Sequence, residues 1–133
     1  MKPKLGQVFL TDQNIIKKIL KYIDLQPTDI ICEIGCGEGV LTIPLAECSK
    51  QLTVIELDKK WLAHTKNKTS HFKNITFVSN DVLKTSFSTI YDKPFRVVAN
   101  IPYYLSAKLC QKFVEEIYCF QDITIMVQKE FAN

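Results

Sequence analysis

The sequence predicts an α/β fold with a doubly wound, mostly parallel β-sheet. Three observations support this prediction. Short apolar runs rich in β-branched residues alternate with helical patterns, as they do where crossover helices join parallel strands. The 133 residues are 47% hydrophobic and 23% charged, which suits one globular domain. Three of the four glycines lie directly after the first apolar run, where such folds turn from strand to helix.

Five runs have the length and composition of buried strands, and four segments have helical periodicity. The predicted strands are residues 29–34, 52–57, 75–78, 95–99 and 123–127. The predicted helices are residues 14–23, 40–48, 59–68 and 107–118. Thr11 or Asp12 suits the N-cap of the first helix, and Ser106 that of the last. The last helix is predicted to direct inward Leu109, Phe113, Val114 and Ile117.

Composition and charge argue against several classes of protein. Lys and Arg total 17 and Asp and Glu 14, so the net charge of +3 permits a nucleic-acid partner without requiring one. Five cysteines, an odd number, and a start without a signal peptide argue against a disulfide framework. Cys32 and Cys36 lack the spacing of zinc ligands, so we expect buried thiols and no metal. No run approaches the roughly 18 apolar residues of a membrane span, and we expect a cytoplasmic protein with no membrane partner.

The glycine cluster follows the first predicted strand, in the run Glu33-Ile34-Gly35-Cys36-Gly37-Glu38-Gly39. Glycines at such a turn let the backbone bend sharply and approach a ligand closely. The NAD fingerprint has its third Gly at the sixth position, where this chain has Val40. The GxGxG form instead resembles the S-adenosylmethionine (SAM) site of class I methyltransferases. A plain tight turn is the alternative interpretation.

Two acidic residues follow the next two predicted strands. Glu56 lies about 20 residues after Gly35, which is the position of the ribose-binding acid in such folds. A solvated acid pair with Asp58 is the alternative. Asp81 follows the third strand, where a carboxylate can accept from the amino group of a cofactor adenine. An ordinary Asx turn is the alternative for Asp81.

The run Asn100-Ile101-Pro102-Tyr103 closes the fourth predicted strand. The exocyclic amine of adenine is a poor nucleophile because its lone pair is delocalised into the ring. The Asn100 side-chain oxygen and the Ile101 carbonyl, which Pro102 would free from regular strand pairing, are suited to accept both amine hydrogens. Tyr103 is suited to stack on the base. A strand-ending turn with a core aromatic residue is the alternative.

These candidates follow consecutive strands, so all are predicted at the carboxyl edge of the sheet, where open α/β folds bind ligands. Four stretches then resemble the N-terminal part of the ribosomal RNA adenine dimethyltransferases, a family that includes small-subunit enzymes and erythromycin-resistance methylases. They are residues 5–10 (LGQVFL), 33–39 (EIGCGEG), 100–106 (NIPYYLS) and 126–132 (MVQKEFA). The first and last look like the small-subunit branch. The resemblance spans the chain and implies the Rossmann-like fold of class I SAM-dependent methyltransferases.

The resemblance also implies site residues. The catalytic residues would be Asn100, Ile101, Pro102 and Tyr103. Cofactor contacts would come from Gln7, Val8, Leu10, Gly35, Gly37, Glu56, Leu57, Asp81, Val82 and Asn100. The family usually has Asn where this chain has Val8, so a side-chain hydrogen bond is lost there. A backbone contact could survive.

The expected function is SAM-dependent dimethylation of adenines in small-subunit ribosomal RNA, with a precursor particle as partner and a monomer at full length. We expect residues 1–133 to form the SAM-binding domain, incomplete at its C-terminus and without the family's last strands and C-terminal helical domain. One alternative is a non-catalytic RNA-binding or transcription factor of the same fold. Others are a large-subunit resistance methylase and an NAD-dependent oxidoreductase.

Overall fold

A computed structural model describes residues 13–128, which form one sheet with helices on both faces. The strands are β1 (Ile30–Ile34), β2 (Gln51–Glu56), β3 (Ile75–Ser79), β4 (Phe95–Pro102) and β5 (Phe120–Gln128). The helices are α1 (Gln13–Ile23), α2 (Thr42–Glu47), α3 (Lys59–Lys68) and α4 (Tyr103–Glu115). Short 3₁₀ turns cover Val82–Lys84, Phe87–Thr89 and Ile117–Cys119.

The strand order is β3-β2-β1-β4-β5, and every neighbouring pair is parallel. The chain first winds outward from β1 to β3 and then crosses back to place β4 on the other side of β1. The predicted doubly wound α/β fold is therefore confirmed. The direction of winding reverses between β1 and β4, and this switch point is where open α/β sheets bind ligands.

Each face of the sheet has its own core, because side chains alternate along a buried strand. On one face, α4 packs over the sheet and four phenylalanine rings form a cluster with centroids 5.0–6.4 Å apart. These are Phe87, Phe95, Phe113 and Phe120. On the other face, apolar residues of α1 and α2 pack against β1 and β2. The predicted apolar stripe of α1 is buried at Ile16 and Ile23, whereas Ile15 is exposed.

The predicted boundaries of α4 are wrong at both ends. The helix begins four residues early, at Tyr103, because Pro102 has an extended backbone (φ −64°, ψ 150°) and serves as the N-cap residue. Ser106 lies inside the first turn, where its hydroxyl donates to the Tyr103 carbonyl at 2.7 Å, so it is not the cap. The helix ends at Glu115, three residues before the predicted end, and a separate 3₁₀ turn follows at Ile117–Cys119.

The helical spacing of four buries Leu109 and Phe113, while Val114 and Ile117 are exposed. The prediction that Val114 and Ile117 face inward is therefore wrong.

The helix predicted over residues 40–48 is shorter in the structure, where α2 spans Thr42–Glu47. Thr11 and Asp12, the predicted caps of α1, lie outside the described residues. No helix within residues 13–128 has the length and apolar character needed to cross a membrane.

Candidate active site

A cavity of about 520 Å³ opens at the carboxyl edge of the sheet, beside the switch point. Its volume falls within the range of about 300–1,000 Å³ that is usual for small-molecule sites. The loops after β1, β2 and β3 and the junction of β4 with α4 form its walls. The topology thus brings together segments that lie far apart in the sequence.

The loop after β1 is held against the end of β4. Gly35 has φ +82° and Gly37 has φ +51°, a left-handed backbone that residues with a Cβ rarely adopt. A Cβ atom at Gly35 would lie 2.6 Å from the backbone oxygen of Asn100. The Gly35 amide also donates to the Ile55 carbonyl at 3.1 Å. Glycine at position 35 is therefore required both by the backbone angle and by the close approach of β4.

Glu56 is held by backbone donors on both of its oxygens. The Cys36 amide donates to Oε1 at 3.0 Å, and the Asp58 amide donates to Oε2 at 3.1 Å. Asp58 itself caps α3 by accepting from the Lys60 amide at 2.9 Å. These acids are thus built into the loops and are not merely a solvated pair. An ionised carboxylate has about four acceptor positions, so Glu56 retains capacity for a ligand.

Asp81 lines the cavity and also caps a 3₁₀ turn. Its Oδ1 accepts from the Leu83 amide at 3.0 Å, which is the local turn that the alternative interpretation predicted. Asn80 supports the same turn, because its side-chain oxygen accepts from the Asp81 amide at 2.9 Å. The turn fixes the Asp81 carboxylate at the cavity wall, so the structural and ligand-binding interpretations are compatible.

Asn100 is half-buried in the cavity wall. Its Oδ1 accepts from Nε2 of Gln128 at 2.9 Å. Strand pairing continues through Pro102, which lies opposite Gln128, so the prediction that Pro102 disrupts the pairing is wrong. A proline lacks the amide donor but keeps its carbonyl acceptor, and α4 begins directly after it. Tyr103 is 60% exposed and does not line the cavity, whereas the neighbouring Tyr104 does.

A buried carboxyl group lies beneath the glycine loop. Burial raises the pKa of Glu33 to about 8, although the Thr42 hydroxyl, which donates to its Oε1 at 2.6 Å, acts in the opposite direction. Glu56 adds a smaller effect that also raises this pKa. Cys32 and Cys36 are buried, as predicted, and burial raises the pKa of both thiols. Within residues 13–128, no group of three or more His, Cys, Asp or Glu side chains is placed to hold a metal ion.

The cavity wall is acidic and apolar. Of the described residues that line it, Glu56, Asp58 and Asp81 have carboxylates, and none is a lysine or an arginine. Such a wall favours a cationic ligand. It disfavours the pyrophosphate of a dinucleotide, which is the group that NAD would place at this edge.

Most of the predicted site residues meet in this cavity. Those that line it are Gly35, Gly37, Glu56, Leu57, Asp81, Val82, Asn100, Ile101 and Pro102. Gln7, Val8 and Leu10 lie outside the described residues. The lining residues without a predicted contact there are Ile34, Ile55, Asp58, Trp61, Asn80, Leu83, Tyr104, Leu105 and Gln128. For most of them, the only sequence signal is a position next to predicted site residues or within the MVQKE stretch.

Comparison with known proteins identifies the family. A family model described as ribosomal RNA adenine dimethylase matches residues 1–133. The chain belongs to the ribosomal RNA adenine dimethylase family. It is 39% identical, over 98% of its length, to ribosomal RNA small subunit methyltransferase A of Clostridium acetobutylicum, and it covers 48% of that protein. The chain thus spans about half the length of the curated relatives it matches.

Solved structures of similar proteins agree with the fold. A dimethyladenosine transferase from Plasmodium falciparum superposes with a TM-score of 0.80 and 29% identity, over 92% of this chain and 44% of that one. The 23S rRNA methyltransferase ErmE superposes with a TM-score of 0.79 and 29% identity, over 91% of this chain and 48% of its own. The resemblance to the dimethyltransferase family and the Rossmann-like methyltransferase fold are therefore confirmed.

Proposed function

We propose that the protein is a SAM-dependent RNA adenine dimethyltransferase that acts on small-subunit ribosomal RNA. The observation that supports this most directly is the single cavity in which the glycine loop, Glu56, Asp81 and Asn100 meet. The wall thus offers carboxylate acceptors on one side and a carboxamide on the other. Membership of the dimethylase family and the small-subunit name of the similar curated proteins favour this substrate.

The residues present fit SAM. Glu56 Oε1 accepts from the Cys36 amide and thiol, and Oε2 accepts from the Asp58 amide alone, so Oε2 retains an acceptor position for a ribose hydroxyl. Asp81 can accept from the adenine amino group, while the buried Val82 offers an apolar surface to the ring. The acidic wall suits the positive charge of a sulfonium. When bound, SAM supplies an electrophilic methyl group on its charged sulphur.

The chain's own residues orient the target amine. Asn100 Oδ1 accepts one of its hydrogens. The Ile101 carbonyl accepts the other, because a carbonyl oxygen has two lone pairs and can accept a second hydrogen bond within a paired strand. Together they localise the nitrogen lone pair for transfer. Rate enhancement then comes chiefly from positioning, and no side chain has to act as a strong base. The target adenine has to leave its base stack to reach the cavity. Tyr103, exposed at the start of α4, stacks on the extruded base.

We also propose a partner, a cellular location and an oligomeric state for the protein. Its partner is ribosomal RNA in a precursor of the small subunit, and it acts in the cytoplasm as a monomer without a metal. Residues 1–133 supply the SAM-binding domain, and a C-terminal helical domain outside this chain completes the enzyme. Gln7, Val8 and Leu10 complete the cofactor contacts in this proposal.

The experiment that tests the function is mass spectrometry of ribosomal RNA nucleosides from cells with and without the full-length gene. We expect N6,N6-dimethyladenosine to disappear from small-subunit RNA without the gene and to return with the parent gene. Loss from large-subunit RNA instead would support the resistance-type alternative. Unchanged methylation, with RNA binding retained by the purified protein, would support the non-catalytic alternative.

A further inference from the structure

We propose that Gln128 is a positioning residue that orients the carboxamide of Asn100 for the methyl transfer. This inference rests on the proposed function, because it concerns how the amine acceptor is held. The observation behind it is the hydrogen bond from Gln128 Nε2 to Asn100 Oδ1, which measures 2.9 Å. It joins two residues that both line the cavity.

The register of the sheet brings these two side chains together. In the parallel pair of β4 and β5, Asn100 lies opposite Met126 and Pro102 lies opposite Gln128. Because side chains alternate between the faces of a sheet, positions 100, 102, 126 and 128 share one face. Gln128 is thus a diagonal neighbour of Asn100, and its longer side chain reaches back toward it. Both side chains are half-buried.

The bond matters because a carboxamide has two different ends of nearly the same shape. The oxygen accepts hydrogen bonds at two lone pairs, and the nitrogen only donates. With the Gln128 donor on one lone pair, the other lone pair of Asn100 Oδ1 remains for an amine hydrogen. A flipped Asn100 would instead present a donor to a group that itself donates. Gln128 therefore selects the orientation that the proposed reaction needs.

The hydrogen-bonded pair can also be inverted as a unit, and this provides a sharp test. A carboxylate at position 128 only accepts, so it enforces the inverted arrangement in which the Asn100 nitrogen donates to it. Gln128→Glu keeps the size of the side chain and reverses the polarity of the contact. Gln128→Ala removes the contact and leaves the Asn100 carboxamide free to adopt either orientation. Gln121→Ala is the matched control, because Gln121 is exposed on the same strand.

The measurement is single-turnover methyl transfer by the full-length protein at saturating SAM, with SAM affinity measured alongside. We expect Gln128→Ala to lower the rate about two- to tenfold, which corresponds to one net hydrogen bond. Gln128→Glu should be slower than Gln128→Ala and should recover in part at low pH, where the protonated carboxyl group can donate. Gln121→Ala should match the parent, and SAM affinity should stay within about twofold of the parent for both alanine variants.

A double-mutant cycle separates this role from direct contact with the substrate. If Gln128 acts through Asn100, Gln128→Ala should have no further effect in the Asn100→Ala background. If the rate losses of Gln128→Ala and Asn100→Ala multiplied in the double variant, the inference would be overturned. A Gln128→Glu rate equal to that of the parent would also overturn it. Parent-like activity of Asn100→Ala alone would overturn the proposed role of Asn100 itself. The failure of the positioning role can thus be distinguished from the failure of the site.

Discussion

The two ends of the sheet contrast in how they hold charge. At the amino end, one guanidinium is surrounded by acceptors. Arg96 donates through Nη1 to Asp29 at 2.8 Å, through Nε to Asp122 at 3.0 Å, and through both terminal nitrogens to the carbonyls of Ile23 and Asp24. At the carboxyl end, Glu56 has no cation among its described partners and accepts from the amides of Cys36 and Asp58 and, at 3.5 Å, from the Cys36 thiol.

This difference separates a structural charge cluster from a binding site. Burial acts to lower the pKa of the Arg96 guanidinium, but the hydrogen bonds and negative charges of Asp122 and Asp29 together outweigh it and raise that pKa, so the charge is satisfied within the chain. Asp29 also accepts from the Gln26 amide at 2.8 Å. The cluster ties the end of α1 to the strands and leaves little capacity for a ligand. The acceptors at the opposite edge remain available, and that is where the cavity lies.

The largest effect on stability should follow from breaking the amino-end cluster. Arg96→Ala leaves Asp29, a largely buried carboxylate, without its cation. Breaking a buried ion pair from one side costs about 3–5 kcal/mol. We expect a loss of that size in the free energy of unfolding, measured by chemical denaturation. Lys93→Ala, at an exposed position just before β4, should change it by less than about 0.5 kcal/mol. A loss below about 1 kcal/mol for Arg96→Ala would contradict the structural role.

The largest effect on catalysis should come from the carboxyl end. Asn100→Ala should slow single-turnover methyl transfer about 10²–10³-fold, by analogy with the loss of one oxyanion-hole donor. SAM affinity should fall less, because Glu56 and Asp81 remain. Asn100→Asp should retain more activity than Asn100→Ala, since a carboxylate also accepts from an amine. Asn67→Ala, on the exposed face of α3, is the matched control. A rate within threefold of the parent for Asn100→Ala would remove the residue from the mechanism.

The contrast also explains which features were predictable from the sequence. The glycine loop, Glu56 and Asn100 follow strand ends that apolar runs reveal, so their meeting point follows from the order of a parallel sheet. The bonds from Arg96 to Asp122 and from Gln128 to Asn100 depend on the register of β4 against β5. That register is set by packing between segments far apart in the chain. The predicted N-cap Ser106 is wrong because α4 begins earlier, directly after Pro102.

A smaller effect should distinguish ligand binding from structure at the carboxyl end. Glu56→Ala removes a charged acceptor, which costs about 1.5–3 kcal/mol, or roughly ten- to hundredfold in SAM affinity. Titration calorimetry on the full-length protein measures it. Glu56→Gln keeps one oxygen acceptor and should lose less. Glu47→Ala, at the exposed end of α2, should bind SAM as the parent does. Unchanged affinity for a folded Glu56→Ala protein would show that this carboxylate serves only the loop.

The most gradual effect concerns Glu33, the buried acid beneath the glycine loop. Burial disfavours the charged form and raises the pKa of Glu33 from its ordinary value of 4.5 to about 8 in the folded protein. Between these values the folded state retains a proton that the unfolded state has released, so stability falls as pH rises. Glu33 contributes at most about 1.4 kcal/mol per pH unit to the slope of the free energy of unfolding against pH. Among its described neighbours, the hydrogen bond from Thr42 acts to lower the pKa of Glu33 and the charge of Glu56 acts to raise it.

Glu33→Gln should remove that slope, because a carboxamide does not titrate. The introduced side chain can still accept from the Thr42 hydroxyl, so packing and hydrogen bonding are kept. Chemical denaturation at pH 5 and pH 8 should show that the variant gains stability relative to the parent at the higher pH. Glu47→Gln, at an exposed position, should follow the parent at both values. Parallel pH dependence of the parent and Glu33→Gln would mean that Glu33 is ionised in the fold, which would contradict the raised pKa.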